Sequence, residues 1–97
     1  MAEMKLTPAS RVIDVRTAEE FAGGHVQGAV NLDVEGGAFE SGIAALDKSA
    51  AYSVYCRSGR RSAIAAGIMA QAGFTNITDL GGMEDAARVL NLPIVTD

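Results

Sequence analysis

The 97-residue sequence has one cysteine, one histidine, two prolines and no tryptophan. A single cysteine excludes a disulfide within the chain, so we expect an apolar core to stabilise the fold. The same scarcity favours a reducing compartment, and we predict a cytoplasmic location. One histidine and one cysteine fall short of the usual ligand set for a metal ion, so we predict no metal site.

Long apolar runs are also missing. No uninterrupted apolar stretch is long enough to cross a bilayer, so we predict no membrane partner. The first ten residues, MAEMKLTPAS, lack the apolar core of a secretory signal. The composition is 48% hydrophobic and 21% charged, which is typical of a globular rather than a disordered protein. The length suggests one domain, residues 1–97.

Positive charge is scarce and local. The chain has eight Lys and Arg against twelve Asp and Glu, for a net charge of −4, which argues against nucleic acid as a partner. Three of the arginines, Arg57, Arg60 and Arg61, fall within YCRSGRRS at residues 55–62, around the only cysteine, Cys56. This concentration of charge indicates a site for a small anion and not for a polyanion.

Strand and helix patterns alternate along the chain. Strands are predicted over residues 11–15, 28–32, 51–56 and 74–80, and helices from Thr17 to Gly23, towards Leu46, over 62–72 and within GGMEDAARVL. Thr17 and Glu20 form a capping-box signature, and Gly73 is the expected stop after the third helix. The alternation predicts an α/β fold with three layers, in which helices flank a central parallel sheet of about four to five short strands.

Cys56 would stand at the carboxyl end of a strand, where ligands bind in such sheets. The thiolate is the reactive form of cysteine, and helix N-termini and nearby cations lower its pKa from about 8.5. Backbone N–H groups of residues 57–62 could point at the sulfur, with Gly59 allowing the loop to curl. We therefore expect an acidic thiol that solvent can reach. The alternative is a buried cysteine serving as a small apolar residue beside solvated arginines.

Two segments resemble the single-domain rhodanese family of sulfurtransferases. They are VIDVRTAEEFAGGHVQGAVNL at 12–32 and YSVYCRSGRRSAIAAGIMAQAGFTNITDLGGM at 52–83, and NLPI near the end resembles the family's closing segment. Two departures are Gln27, where family members commonly have proline, and the absence of a tryptophan after GGM. Neither change touches the cysteine loop, but both affect the expected packing of the last helix.

The resemblance implies a rhodanese fold and a sulfur-transfer reaction. Cys56 would take a sulfur atom from a small anionic donor such as thiosulfate, forming a persulfide, and pass it to a thiol, to cyanide or to an acceptor protein. No metal or organic cofactor would be needed. The residues expected to bind the substrate are Arg57, Ser58, Gly59, Arg60, Arg61 and Ser62.

Three further residues would support the site: Asp14, Arg16 and His25. We expect Asp14 to form a structural ion pair that holds Arg61 or His25 in place, although it could also be a simple turn residue. His25 is expected to order the turn before the second strand by hydrogen bonding and not to act as a general base.

Loop length separates two enzymatic alternatives. The spacing from Cys56 to Arg61, C-x-x-x-x-R, is one residue shorter than the loop of related tyrosine and cell-cycle phosphatases. A shorter loop closes around one sulfur atom and leaves less room for a phosphate, which favours sulfur transfer over a phosphatase or an arsenate reductase. A third hypothesis is a non-catalytic module of this family that binds a partner or senses redox state through Cys56.

Overall fold

The computed structural model describes residues 11–37 and 39–96. The prediction that no secretory signal is present falls on the first ten residues, which lie outside the described residues. The prediction of a single domain over residues 1–97 also includes them and stays a prediction. No helix in the described ranges is both long enough and apolar enough to cross a membrane.

The described chain alternates short strands with helices. The strands are β1 (Val12–Asp14), β2 (His25–Val26), β3 (Val30–Asn31), β4 (Tyr52–Cys56), β5 (Ile77–Gly82) and β6 (Ile94–Val95). The helices are α1 (Ala18–Ala22), α2 (Phe39–Ala44), α3 (Arg60–Gln71) and α4 (Met83–Leu90). Gly73 follows α3 with φ of 105°, a conformation that suits glycine at the end of a helix, as the sequence predicted.

Four strands form a parallel sheet in the order β3-β1-β4-β5. In this sheet Ile13 of β1 lies opposite Val30 on one side and Val54 on the other. The short strands β2 and β6 pair antiparallel in a separate two-stranded sheet. The predicted α/β fold with a central parallel sheet is confirmed, with four strands in that sheet.

Alternate residues of the central strands pack on opposite faces of the sheet. Ile13 and Val54 share one core cluster with residues of α2 and α3. Val12 and Tyr55 share another with Val26 of β2 and with α4. A side-chain period of two explains how strands of three to five residues serve both faces. The helices therefore cover the sheet from both sides.

Several element boundaries differ from the sequence prediction. The strand predicted over residues 28–32 is Val30–Asn31, and the one predicted over 74–80 is Ile77–Gly82. The third helix begins at Arg60, two residues earlier than expected, because the cysteine loop turns directly into it. Not every apolar residue of α3 is buried, since Ile64 is 52% exposed.

Candidate active site

Cys56 is the last residue of β4, at the carboxyl edge of the parallel sheet. The Gly59 N–H donates a hydrogen bond to its sulfur over 2.9 Å, and the Ser62 hydroxyl oxygen lies 3.6 Å from the same atom. In the protonated form the thiol donates to this hydroxyl, which donates its own proton to the Gly59 carbonyl over 3.1 Å. To stabilise a thiolate, the hydroxyl turns that single proton towards the sulfur. The sulfur therefore lies inside a curled loop that runs from Cys56 to Ser62.

The expectation that solvent reaches the thiol is wrong for this structure, because Cys56 has no exposed surface. The loop that brings the Gly59 amide to the sulfur also covers it. Arg57 and Ser58 in the same loop are exposed, so one face of the loop is in contact with solvent. Reaction with an external reagent consequently requires a local movement of the loop.

Competing effects act on the pKa of the Cys56 thiol, and the net result is a lowered value. Burial is the largest single effect and would raise the pKa. It is outweighed by hydrogen bonds from the backbone N–H and the hydroxyl of Ser62, and from the N–H groups of Gly59 and Ser58. The loop thus favours negative charge on the sulfur, as the sequence predicted.

Glycines allow the loop to pack tightly. Gly59 has φ of 102°, in the left-handed region that other residues avoid, and it precedes the first turn of α3. A Cβ atom on Gly82, the last residue of β5, would lie 2.9 Å from the carbonyl oxygen of Arg57. Gly82 therefore lies directly against the cysteine loop, where a larger residue would not fit without movement.

Arg61 is paired with Glu20 of α1. Its two terminal nitrogens contact the two carboxylate oxygens of Glu20 over 2.7 and 3.0 Å, and Glu35 lies 3.9 Å away. The hydrogen bond from Arg61 is the largest influence on the Glu20 carboxyl, and its pKa falls to about 2. Sequence reasoning treated Glu20 only as a capping or salt-bridge residue. It did not predict Arg61 as the partner, because the two residues are 41 positions apart and no local pattern connects them.

Asp14 forms a structural ion pair, but with Arg16 and not with Arg61, which is held by Glu20. The Asp14 carboxylate accepts hydrogen bonds from the Arg16 guanidinium over 2.6 to 3.0 Å and from the Arg16 backbone N–H over 2.9 Å. Arg16 also donates to the Gly24 carbonyl over 2.6 Å. The pair is therefore local and buried: it joins the last residue of β1 to the second residue after it.

His25 is buried and lies against α1. Its Nδ1 is 2.8 Å from the Phe21 carbonyl, and its ring stacks on that of Phe21 at 3.7 Å. Since a carbonyl oxygen can only accept, Nδ1 donates in this contact. The geometry agrees with an ordering role at the turn before the sheet strand β3. His25 is absent from the residues that line the cleft beside the cysteine loop.

A cleft of about 540 Å³ opens beside the loop. Its lining comes from the segment after β1, from α1 and the glycines that follow it, from the loop, from the end of β5 and from the start of α4: Arg16, Glu19, Glu20, Gly23, Gly24, Arg57, Ser58, Gly82, Met83, Glu84 and Asp85. Arg57 is the loop arginine in this lining, whereas Arg60 is exposed on α3 outside it. The three loop arginines therefore occupy different environments.

Six charged residues line this cleft, and three of them, Glu19, Arg57 and Glu84, make no ion pair within the described residues. Glu20 binds Arg61, Asp85 binds Arg88, and Arg16 binds Asp14. Among the described residues Arg57 makes no ion pair, so its charge remains available at the loop. No group of three or more His, Cys, Asp or Glu side chains within 11–37 and 39–96 is arranged to hold a metal ion.

Comparisons with known proteins agree with this arrangement of sheet and loop. The family model for the rhodanese-like domain matches residues 1–88. A thiosulfate sulfurtransferase of Escherichia coli K12, PspE, is 37% identical over 79 residues, which are 81% of this chain and 76% of that protein. The chain belongs to the rhodanese-like domain family.

Solved structures show the same fold. A rhodanese with anions from E. coli superposes with a TM-score of 0.75 at 34% identity, covering 90% of this chain and 98% of the other. The rhodanese-like domain of the Alr3790 protein from Anabaena gives a TM-score of 0.78 at 26% identity, covering 93% and 90%. The predicted rhodanese resemblance is confirmed at the level of the family and its fold.

Proposed function

We propose that this protein is a sulfurtransferase that carries a sulfur atom as a persulfide on Cys56. The observation that supports the proposal best is the hydrogen bond of 2.9 Å from the Gly59 amide to the Cys56 sulfur, inside a loop that lowers the pKa of the thiol. Such donors stabilise a thiolate before the reaction and a persulfide anion after it. The related PspE is itself named a thiosulfate sulfurtransferase.

The reaction has two displacement steps. The Cys56 thiolate attacks the outer sulfur of thiosulfate, a new S–S bond forms, and the old S–S bond breaks as sulfite leaves with its electron pair. An acceptor thiolate or cyanide then attacks the outer sulfur of the persulfide, and the Cys56 thiolate leaves. Atoms and electrons balance without a cofactor, and the kinetics would be of the ping-pong type.

Arg57 is the loop arginine we assign to the anionic donor, since it lines the cleft and makes no ion pair among the described residues. Ser58 lies beside it, while the Gly59 amide and the Ser62 hydroxyl serve the sulfur. Arg60 lies outside the cleft, and Arg61 is held by Glu20. A related rhodanese structure from E. coli with anions is consistent with an anion site in this family. A cytoplasmic location and a thiol, cyanide or protein acceptor remain predictions.

Intact mass measures the proposed reaction directly. Incubation with thiosulfate should add the mass of one sulfur atom, and cyanide should remove it with release of thiocyanate. Cys56→Ser should keep the fold and take up no sulfur. A wild-type protein that stays unlabelled while remaining folded would contradict the proposal.

A non-catalytic binding or redox-sensing module is the second candidate, and the complete burial of Cys56 is the observation that favours it. The same mass experiment separates the two functions, because a binding module would not exchange sulfur with thiosulfate and cyanide. A phosphatase remains disfavoured by the short C-x-x-x-x-R loop, and a chromogenic phosphate ester provides the assay.

A further inference from the structure

We propose that Glu20 is a positioning residue for the cysteine loop, which it holds in its sulfur-binding shape through Arg61. This inference rests on the proposed sulfur transfer for its functional meaning, and on contacts between α1 and α3 for its geometry. Glu20 touches neither the sulfur nor the loop amides, and so would act only through its partner.

The contact between the two residues is specific in geometry. Two nitrogens of the planar Arg61 guanidinium meet two oxygens of Glu20 over 2.7 and 3.0 Å, and the side chains are only 19% and 26% exposed. A paired, charge-assisted contact of this kind fixes direction as well as distance. By contrast, Glu35 lies 3.9 Å from the same guanidinium and is 66% exposed.

Glu20 is itself held in place from the other side. Its carboxylate accepts hydrogen bonds from the backbone N–H and the hydroxyl of Thr17 over 3.1 and 3.2 Å. Those contacts are part of the capping box that begins α1. The carboxylate that holds Arg61 is therefore itself held by hydrogen bonds at the start of α1.

The position of Arg61 explains why this contact matters for the sulfur. Arg61 lies between Gly59, whose amide binds the Cys56 sulfur over 2.9 Å, and Ser62, whose hydroxyl lies 3.6 Å from it. A shift of the Arg61 backbone would move both groups away from the sulfur. Holding the guanidinium thus holds the two groups that favour the thiolate.

Other charges surround the loop and must be separated from this effect. They lie in the loop and the start of α3, line the cleft beside the loop, or contact a residue that does: Asp14, Arg16, Glu19, Glu20, Glu35, Arg57, Arg60, Arg61, Glu84 and Asp85. Variants that conserve charge are needed, because removing a charge would change the pKa of the thiol through space in any case.

Glu20→Asp and Arg61→Lys conserve charge but break the paired contact. The shorter carboxylate cannot hold Thr17 and both guanidinium nitrogens at once, and lysine lacks the planar fork. We expect each variant to raise the pH midpoint of Cys56 alkylation by about one unit towards that of a free thiol. The turnover number of sulfur transfer should fall about tenfold, with less change in the KM for thiosulfate.

The double variant Glu20→Asp/Arg61→Lys and the control Glu35→Gln complete the test. Because Glu20 and Arg61 act as one unit, the double variant should shift the midpoint no further than either single variant. Glu35→Gln removes a charge near Arg61 without breaking the paired contact, so it measures the effect of a charge through space alone. Its shift should be smaller than that of Glu20→Asp and in the opposite direction, because losing a nearby negative charge favours the thiolate. Circular dichroism and the midpoint of thermal unfolding confirm that each variant is folded.

Three results would overturn the positioning role: an unchanged midpoint in folded Glu20→Asp, additive shifts in the double variant, or a shift in Glu35→Gln as large as that of Glu20→Asp. Alkylation needs no sulfur donor. A wild type that fails to take up sulfur would therefore contradict the proposed function while leaving the positioning result readable.

Discussion

Helices α1 and α3 both begin where a strand of the parallel sheet ends, α1 after β1 and α3 after β4. At the start of α1, Thr17 and Glu20 satisfy each other's backbone N–H groups over 3.1 and 3.2 Å. At the start of α3, Gly59 offers no side-chain cap, and its N–H binds the Cys56 sulfur instead. The first turn of a helix leaves N–H groups without partners, and the two helices use them differently.

The start of α1 serves the stability of the fold, whereas the start of α3 serves the chemistry of Cys56. The capping box of α1 closes its own hydrogen bonds, and so contributes to the stability of a helix that has only five residues. The start of α3 directs its donors at a sulfur atom, so that they favour a charge on Cys56. Glu20 links the two helix starts, because it caps one and binds Arg61 in the other. Changes at each start should therefore have different consequences.

The largest effect is expected from Gly82→Ala, which pushes on the loop before α3. The new Cβ would lie 2.9 Å from the Arg57 carbonyl oxygen, and because the neighbour is backbone the loop itself must move. We expect sulfur transfer to fall about a hundredfold, because catalytic groups are displaced. Overpacking should lower the free energy of unfolding by about 1–3 kcal/mol. Steady-state kinetics and chemical denaturation measure the two quantities.

Gly67→Ala is the matched control for this substitution. Gly67 lies within α3, and a Cβ there would meet nothing within 4 Å. Alanine should raise the free energy of unfolding by about 0.5–1 kcal/mol with normal activity, since glycine is a poor helix former. Equal activity in the Gly82 and Gly67 variants would show that the loop tolerates the displacement, contrary to our account.

A smaller effect, confined mainly to stability, is expected from Thr17→Ala at the start of α1. Loss of the side-chain cap should lower the free energy of unfolding by about 1 kcal/mol. Arg61 still holds Glu20 from the other side, so the midpoint of Cys56 alkylation should move less than in Glu20→Asp. A loss of activity without a loss of stability would mean that the α1 cap serves chemistry after all.

The smallest effect is expected on the free energy of unfolding at acidic pH. The Glu20 pKa is lowered from 4.5 to about 2, chiefly by Arg61, so the unfolded state binds this proton more readily than the folded state does. Its stabilising contribution is therefore fully present above the unfolded value of 4.5 and is lost as the pH falls towards about 2. The difference in unfolding free energy between the wild type and Glu20→Gln should shrink across that window. A difference that stays constant with pH would contradict the assignment.

The sequence predicted those features that depend on neighbours in the chain. The capping box needs only Thr17 and Glu20, three residues apart, and the Cys56 loop is one continuous segment. The class of fold followed from the alternation of strands and helices. Boundaries were less accurate, because the ends of strands such as Ile77–Gly82 depend on pairing with β4.

Contacts between distant segments could not be predicted in the same way. Glu20 and Arg61 are 41 residues apart, and either charge could have bound several partners. For the same reason the partner of Asp14 was not predicted. Its carboxylate binds Arg16, which is only two residues away and is also buried. The burial of Cys56 also depends on how β5 packs beside the loop, which no local pattern records.

The covering of Cys56 has a consequence for how fast the protein can react. A thiol made acidic by its surroundings would ordinarily be open to any oxidant or electrophile that diffuses past. Here the residue has no exposed surface, so an encounter is productive only during a brief opening of its enclosure. The frequency of that opening would then limit the rate for every reagent, and the size of a reagent would decide whether it can enter.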